Sequence, residues 1–174
     1  MITTFDSTPP DGGQRLVGCR CVVTGAAGFF GPYLVAGLLA EGVSAVRALD
    51  LQDECPALRD ICTGSAGRAI FIRVDLCGPA AHLEHAMEGA DVIFHCAAMI
   101  GSFRKREICP REEECAVWDA NLGGTTATLE AAARGGARAF VYCSTVNVAF
   151  TGRSEIVGGT EEDPPPPPSE HLEA

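Results

Sequence analysis

Thr24-Gly25-Ala26-Ala27-Gly28-Phe29-Phe30-Gly31 is the stretch that decides the fold. Just before it, Cys19 to Thr24 is a short apolar run with β-branched Val22 and Val23, as expected of a buried strand. Just after it, Phe29 to Ala40 carries Phe30, Leu34, Val35, Leu38 and Leu39 near helical spacing, and Gly42 is a stop signal. Glycines three apart between a strand and a helix allow three things at once. They permit a tight turn, a close approach of backbone to a pyrophosphate, and packing of helix on strand, with the phosphates at the positive helix N-terminus. The spacing is G-x-x-G-x-x-G rather than the commoner G-x-G-x-x-G. A merely structural turn is the alternative; the strand-turn-helix context favours dinucleotide binding. The candidate cofactor residues of this turn are Gly25, Ala27, Gly28, Phe29, Phe30 and Gly31.

Outward from the turn, short apolar runs alternate with helical stretches. Strands are expected at Ala45 to Leu49, Ala69 to Val74, Asp91 to Cys96 and Ala139 to Ser144. A short helix is expected at Ala80 to Met87, closed by Gly89. A longer one is expected over Glu112 to Arg134, weakened in its middle by Gly123-Gly124. Strand-helix alternation implies parallel βαβ units with right-handed crossovers, and near-continuous apolar strands imply a sheet covered on both faces. The expected fold is α/β, a doubly wound parallel sheet of Rossmann type with strand order 3-2-1-4-5, ending after the fifth strand. The expected organisation is a flexible lead at 1–16, the dinucleotide-binding domain at 17–150, and a tail at 151–174. That tail holds Glu161-Glu162-Asp163 and then Pro164 to Pro168, a stiff extended segment.

Two acids follow strands. Asp50 lies nineteen residues beyond Gly31 and is followed by Leu51 rather than an arginine. A carboxylate there suits ribose hydroxyls and repels a 2′-phosphate, which favours NAD over NADP; a turn cap is the bland alternative. Asp75, before Leu76, either accepts a bond from an adenine amino group or caps the next turn.

Composition narrows the function classes. The chain of 174 residues is 47% apolar and 21% charged, ordinary for one globular domain. Its formal net charge of −10 argues against a phosphate backbone or an anionic membrane surface as partner. Nine cysteines with no Cys-x-x-Cys pair argue against a zinc ribbon or a disulfide framework, and for reduced core cysteines in a cytoplasm-facing compartment. The uncharged stretch Cys21 to Ala40 has the length of a membrane span, but its glycines, Pro32 and strand-like start argue otherwise. No signal peptide is visible. His82-x-x-His85 reads as a solvated helix face, and no metal site is expected. His95 reads as strand packing and loop geometry, Arg104-Lys105-Arg106 as a solvated basic loop, and Glu112-Glu113-Glu114 as an acidic first helical turn.

The motifs TGAAGFFG, Asp50, Asp75-Leu76, His95-Cys96-Ala97-Ala98, Asn121-Leu122-Gly123-Gly124-Thr125 and Tyr142-Cys143-Ser144-Thr145 occur in this order. As a set they resemble the extended short-chain dehydrogenase/reductases. The stretch Val141 to Phe150, followed by Gly152, is most similar to the 3β-hydroxysteroid dehydrogenase/isomerase family. The resemblance implies an oxidoreductase that moves hydride between a CH–OH group, that of a 3β-hydroxysteroid, and NAD. It implies cofactor contacts at Gly25, Gly28, Gly31, Asp50, Asp75, Ala97 and Ala98, and an active-site asparagine at Asn121. It implies a substrate-binding hydroxyl at Thr145, with Ser144 as competitor. A nucleotide-sugar epimerase or a flavonoid-type reductase on the same fold is the runner-up, and a non-catalytic dinucleotide-binding protein the third reading.

One family feature is missing. Tyrosine followed four residues later by lysine supplies the general acid/base and the cation that lowers its pKa. Here the tyrosines are Tyr33 and Tyr142, followed at that distance by Gly37 and Val146, and Lys105 is the one lysine. The expectation is a fragment or truncated product that lacks the substrate part and is inactive alone. Membrane attachment of a longer parent and self-association through an exposed fifth strand accompany that expectation.

Overall fold

The computed structural model describes residues 16–100, 116–145 and 159–160. Two compact units divide the chain, Met1–Tyr142 and Cys143–Ala174. The first holds five parallel strands, β1 (Arg20–Thr24), β2 (Ala45–Asp50), β3 (Ala69–Arg73), β4 (Val92–His95) and β5 (Ala139–Tyr142). Their order is β3-β2-β1-β4-β5, as expected from the sequence. β1 is central, pairing Thr24 with Leu49 on one side and with His95 on the other.

Alternation along each strand feeds two separate cores. Cys21 and Val23 of β1, Val46 and Ala48 of β2 and Val92 of β4 point to one face. Val22, Leu49 and Ile93 point to the other. The first face is covered by α1 (Gly31–Ala40), through Val35 and Leu38, and by α2 (Pro56–Gly64), through Leu58. The second is covered by α3 (Ala80–Met87), through Leu83, Ala86 and Met87, and by α4 (Gly124–Arg134), through Ala131 and Ala132. Apolar strands thus lose solvent on both sides, which is what drives a parallel sheet to form. Arg47 of β2 donates to the carbonyls of Ala86 (3.1 Å) and Glu88 (2.7 Å), placing a cation at the negative C-terminal end of α3.

Several sequence expectations shift. α1 begins at Gly31 rather than Phe29, because Pro32 suits the first helical turn and the two phenylalanines remain in the glycine-rich turn. The apparent span Cys21 to Ala40 resolves into β1, the turn and a helix of 10 residues. Among the described residues no helix is long and apolar enough to cross a membrane. α2 has no counterpart in the sequence reading. The long helix expected to end at Arg134 is interrupted by a π-helical turn, Asp119–Gly123, that leads into α4. The Arg104-Lys105-Arg106 loop, the Glu112-Glu113-Glu114 turn and the proline run lie outside the described residues. His82 and His85 are exposed, with His85 Nδ1 3.7 Å from Glu88 Oε2. Among the described residues the cysteines form no disulfide. Burial pushes the Cys21 thiol up to about 12, which keeps it protonated and inert.

Candidate functional site

The C-terminal ends of β1, β2 and β4 meet where the connections diverge to opposite faces of the sheet. In a doubly wound sheet this is the crevice that takes a ligand. Gly25 has φ +69°, and a Cβ on it would stand 2.7 Å from Ala97 N; only glycine lets the two loops approach this closely. A Cβ on Gly31 would stand 2.3 Å from Ala26 O, so the start of α1 lies directly on the turn. Gly28 differs. A Cβ there would meet only Gly25 O at 3.2 Å, and the residue is exposed. Neither Phe29 N–H nor Phe30 N–H donates to a protein acceptor among the described residues, as expected of amides at a helix N-terminus. The turn therefore offers backbone donors and a glycine face open to a ligand.

Asp50 ends β2 beside this turn. Its Oδ2 accepts the Ala27 N–H at 2.9 Å and its Oδ1 accepts the Gln52 N–H at 2.9 Å. Each carboxylate oxygen keeps a lone pair for a further donor. The negative charge is thus fixed at the glycine-rich turn by one backbone bond across the sheet and one along the chain. Asp75 is exposed, and its Oδ1 accepts the Cys77 N–H at 2.9 Å, the arrangement of a turn cap. Leu76 beside it is half-buried against the α3/α4 core.

The wall after β4 is held by polar groups. Thr24 Oγ1 accepts the Ala97 N–H at 3.2 Å and lies 2.8 Å from His95 Nδ1. His95 Nε2 lies 2.9 Å from Thr125 Oγ1 on α4. The imidazole is buried, and desolvation pushes its pKa down to about 4, so it is neutral at neutral pH. Phe140 and Tyr142 of β5 pack on it, each with ring centroids 5.7 Å from its own. One turn before Thr125, Asn121 lies within the π-helical turn. Its Oδ1 accepts Met99 N–H at 2.7 Å, and its Nδ2 donates to Met99 O at 2.8 Å. The Cys77 thiol donates to Asp119 O at 3.1 Å at the start of that turn. Extra backbone slack of this kind is common at functional sites.

The structure brings Gly25, Ala27, Gly28, Gly31, Asp50 and Ala97 to one crevice, with Asn121 tied to the strand-β4 loop at Met99. Ala98 is exposed beside Ala97. Ser144 and Thr145 are exposed and belong to the second compact unit. The interlock of Thr24, His95 and Thr125 was not anticipated from sequence. Its one signal was polar residues closing two otherwise apolar strands.

A parallel β3-β2-β1-β4-β5 sheet, a glycine turn opening α1 and an acid ending β2 define a Rossmann-type sheet, the class that includes the extended short-chain dehydrogenase/reductases. The model of the 3-beta hydroxysteroid dehydrogenase/isomerase family matches residues 22–172, and the chain belongs to that family. It is 36% identical over 147 residues to a 3 beta-hydroxysteroid dehydrogenase/Delta 5-->4-isomerase of Mycobacterium tuberculosis, with 82% of this chain and 35% of that protein covered. It is 31% identical over 144 residues to the human sterol-4-alpha-carboxylate 3-dehydrogenase, decarboxylating, with 82% and 33% covered. Among solved structures, DesIV, a dTDP-glucose 4,6-dehydratase from Streptomyces venezuelae with NAD and TYD bound, superposes with a TM-score of 0.69 at 27% identity, covering 85% of this chain and 45% of that one. The chain spans about a third of the length of these two relatives.

Proposed function

We propose that this chain is the NAD-binding part of a 3β-hydroxysteroid dehydrogenase-like oxidoreductase acting on a CH–OH group. The observation that carries the reading is the Asp50 carboxylate, anchored on Ala27 N–H at the glycine-rich turn. The residues fit a dinucleotide. Gly28 is exposed, with only Gly25 O near where a Cβ would stand, and the Phe29 and Phe30 amides supply donors for a pyrophosphate. Asp50 receives the adenosine ribose hydroxyls, Asp75 and Leu76 border the adenine, and Ala97 and Ala98 line the crevice after β4. Bound NAD would accept hydride from the alcohol carbon. The chain's own residues bind and orient: Asn121 fixes the loop at Met99, and Thr145, with Ser144 as competitor, supplies the hydroxyl that binds the substrate oxygen. A cytoplasm-facing location is part of the reading, supported by the cysteines among the described residues, which form no disulfide.

Calorimetric titration of the 174-residue chain with NADH and NADPH is the test. NADH is expected to bind more tightly, because Asp50 repels a 2′-phosphate. Equal or reversed affinities would overturn the Asp50 assignment.

A second reading, binding without turnover, is favoured by one observation: neither tyrosine is followed four residues on by a lysine. A positioned base contributes about 10²–10⁴-fold to such a reaction, and a threonine hydroxyl is too weakly acidic to replace it. The chain is expected to bind NAD and yet form no NADH from a 3β-hydroxysteroid. Steady turnover that is lost on Thr145→Ala would reveal another base.

A further inference from the structure

We infer that His95 is a positioning residue of the cofactor crevice, running one oriented hydrogen-bond chain from the backbone after β4, through β1, to α4. This rests on the crevice being the NAD site. The orientation follows from elimination. Thr24 is wholly buried, and its oxygen already accepts the Ala97 N–H. The only acceptor for its hydroxyl hydrogen among the described residues is His95 Nδ1, 2.8 Å away. Nδ1 is therefore the acceptor, the ring proton sits on Nε2, and Nε2–H donates to Thr125 Oγ1 at 2.9 Å. The opposite tautomer would leave the Thr24 hydrogen buried without an acceptor, which is costly. The chosen one leaves only the Thr125 hydrogen, on a half-exposed residue within reach of water.

Every link in this chain has consequences for the crevice. Ala97 N is also the atom against which Gly25 packs, so the Thr24 bond sets the gap between the glycine-rich turn and the far wall. Thr125 stands one turn beyond Asn121, so the His95 bond pins the same helix that holds Met99. From β1 the ring meets Thr24, from α4 Thr125, and from β5 Phe140 and the Tyr142 phenol; no carboxylate, lysine or arginine faces it among the described residues. Nothing stabilises a charged ring there, and a second ring proton on Nδ1 would oppose the Thr24 hydroxyl hydrogen.

The test uses the whole chain in three arms. Histidine ¹⁵N spectra at neutral pH should show His95 as the Nε2–H tautomer, and still neutral at pH 5, where an ordinary imidazole with a pKa of about 6.5 is charged. Thr125→Val and His95→Phe, each confirmed folded by circular dichroism, should speed hydrogen exchange of the Ala97 amide and raise the NADH Kd, each by about tenfold. Thr125→Ser should restore both. A ring that merely fills space is replaced by phenylalanine without effect. Unchanged exchange and Kd in the folded variants, or an Nδ1–H ring in the unaltered chain, would overturn the inference. If His95→Phe does not fold, Thr125→Val decides, since it alters a half-exposed hydroxyl. If the unaltered chain does not bind NADH, the cofactor assignment fails, and the tautomer and exchange arms still decide the relay.

Discussion

Gly28 and Gly31 sit three residues apart in one turn, yet an added methyl group meets different surroundings at each. At Gly31 it collides with the Ala26 backbone at 2.3 Å, and backbone cannot step aside cheaply. Gly31→Ala is expected to cost at least about 3 kcal/mol of stability. At Gly28 the only neighbour is Gly25 O at 3.2 Å, so Gly28→Ala should cost under about 1 kcal/mol while still abolishing NADH binding. Urea unfolding and NADH titration on the two variants separate folding from binding. His95 gives a second residue-scale expectation. Its folded pKa of about 4 lies below the ordinary 6.5, so the unfolded chain takes up the proton first on acidification. The stability it contributes is complete above pH 6.5 and is lost as pH falls towards 4, amounting to roughly 3 kcal/mol. The slope of stability against pH in that window should shrink in His95→Phe, measured by urea midpoints; an unchanged slope would falsify the assignment. Asp50 and the glycines were legible because their spacing is local. The Thr24–His95 contact spans 71 residues, and no local pattern encodes it.

α2 shows what a short element conceals. Pro56 starts it, and Leu58, Ile61 and Cys62 pack inward at helical spacing, a pattern present in the sequence but short enough to be passed over as loop. Leu58 is nevertheless fully buried, so Leu58→Ala should destabilise the chain by about 2–5 kcal/mol in urea titration. The strands were readable to within one or two residues because burial on both faces leaves nearly unbroken apolar runs. The π-helical turn was not. Gly123-Gly124 weakened the expected helix on propensity grounds, but what reshapes the helix start is tertiary: Asn121 clamps Met99 and the Cys77 thiol holds Asp119 O. Asp75 was readable only as a choice between a ligand contact and a cap. Its Oδ1 holds the Cys77 amide, and the other oxygen is left for a donor from outside.

Across the whole molecule, β5 pairs with β4 alone among the described residues, and Val141 and Tyr142 on it are 46% and 53% exposed. Exposed apolar side chains on a strand at the margin of the described sheet favour association with another chain. The 174-residue protein is expected to self-associate, and light scattering at tens of micromolar that shows a monodisperse monomer would contradict this. The sheet order was readable because alternating strands and helices leave few right-handed arrangements; which strand ends would bear polar clamps was not, since these depend on side chains meeting across the finished sheet. The central place of β1 carries a cost in time. On a ribosome adding about 5–20 residues per second, the 71 residues between Thr24 and His95 take roughly 4 to 14 seconds to emerge. Once β2 has emerged, about a third of the way through that interval, β1 has β2 on one flank and β4 still unmade on the other, so the nascent chain passes through a stage at which its central strand awaits a neighbour.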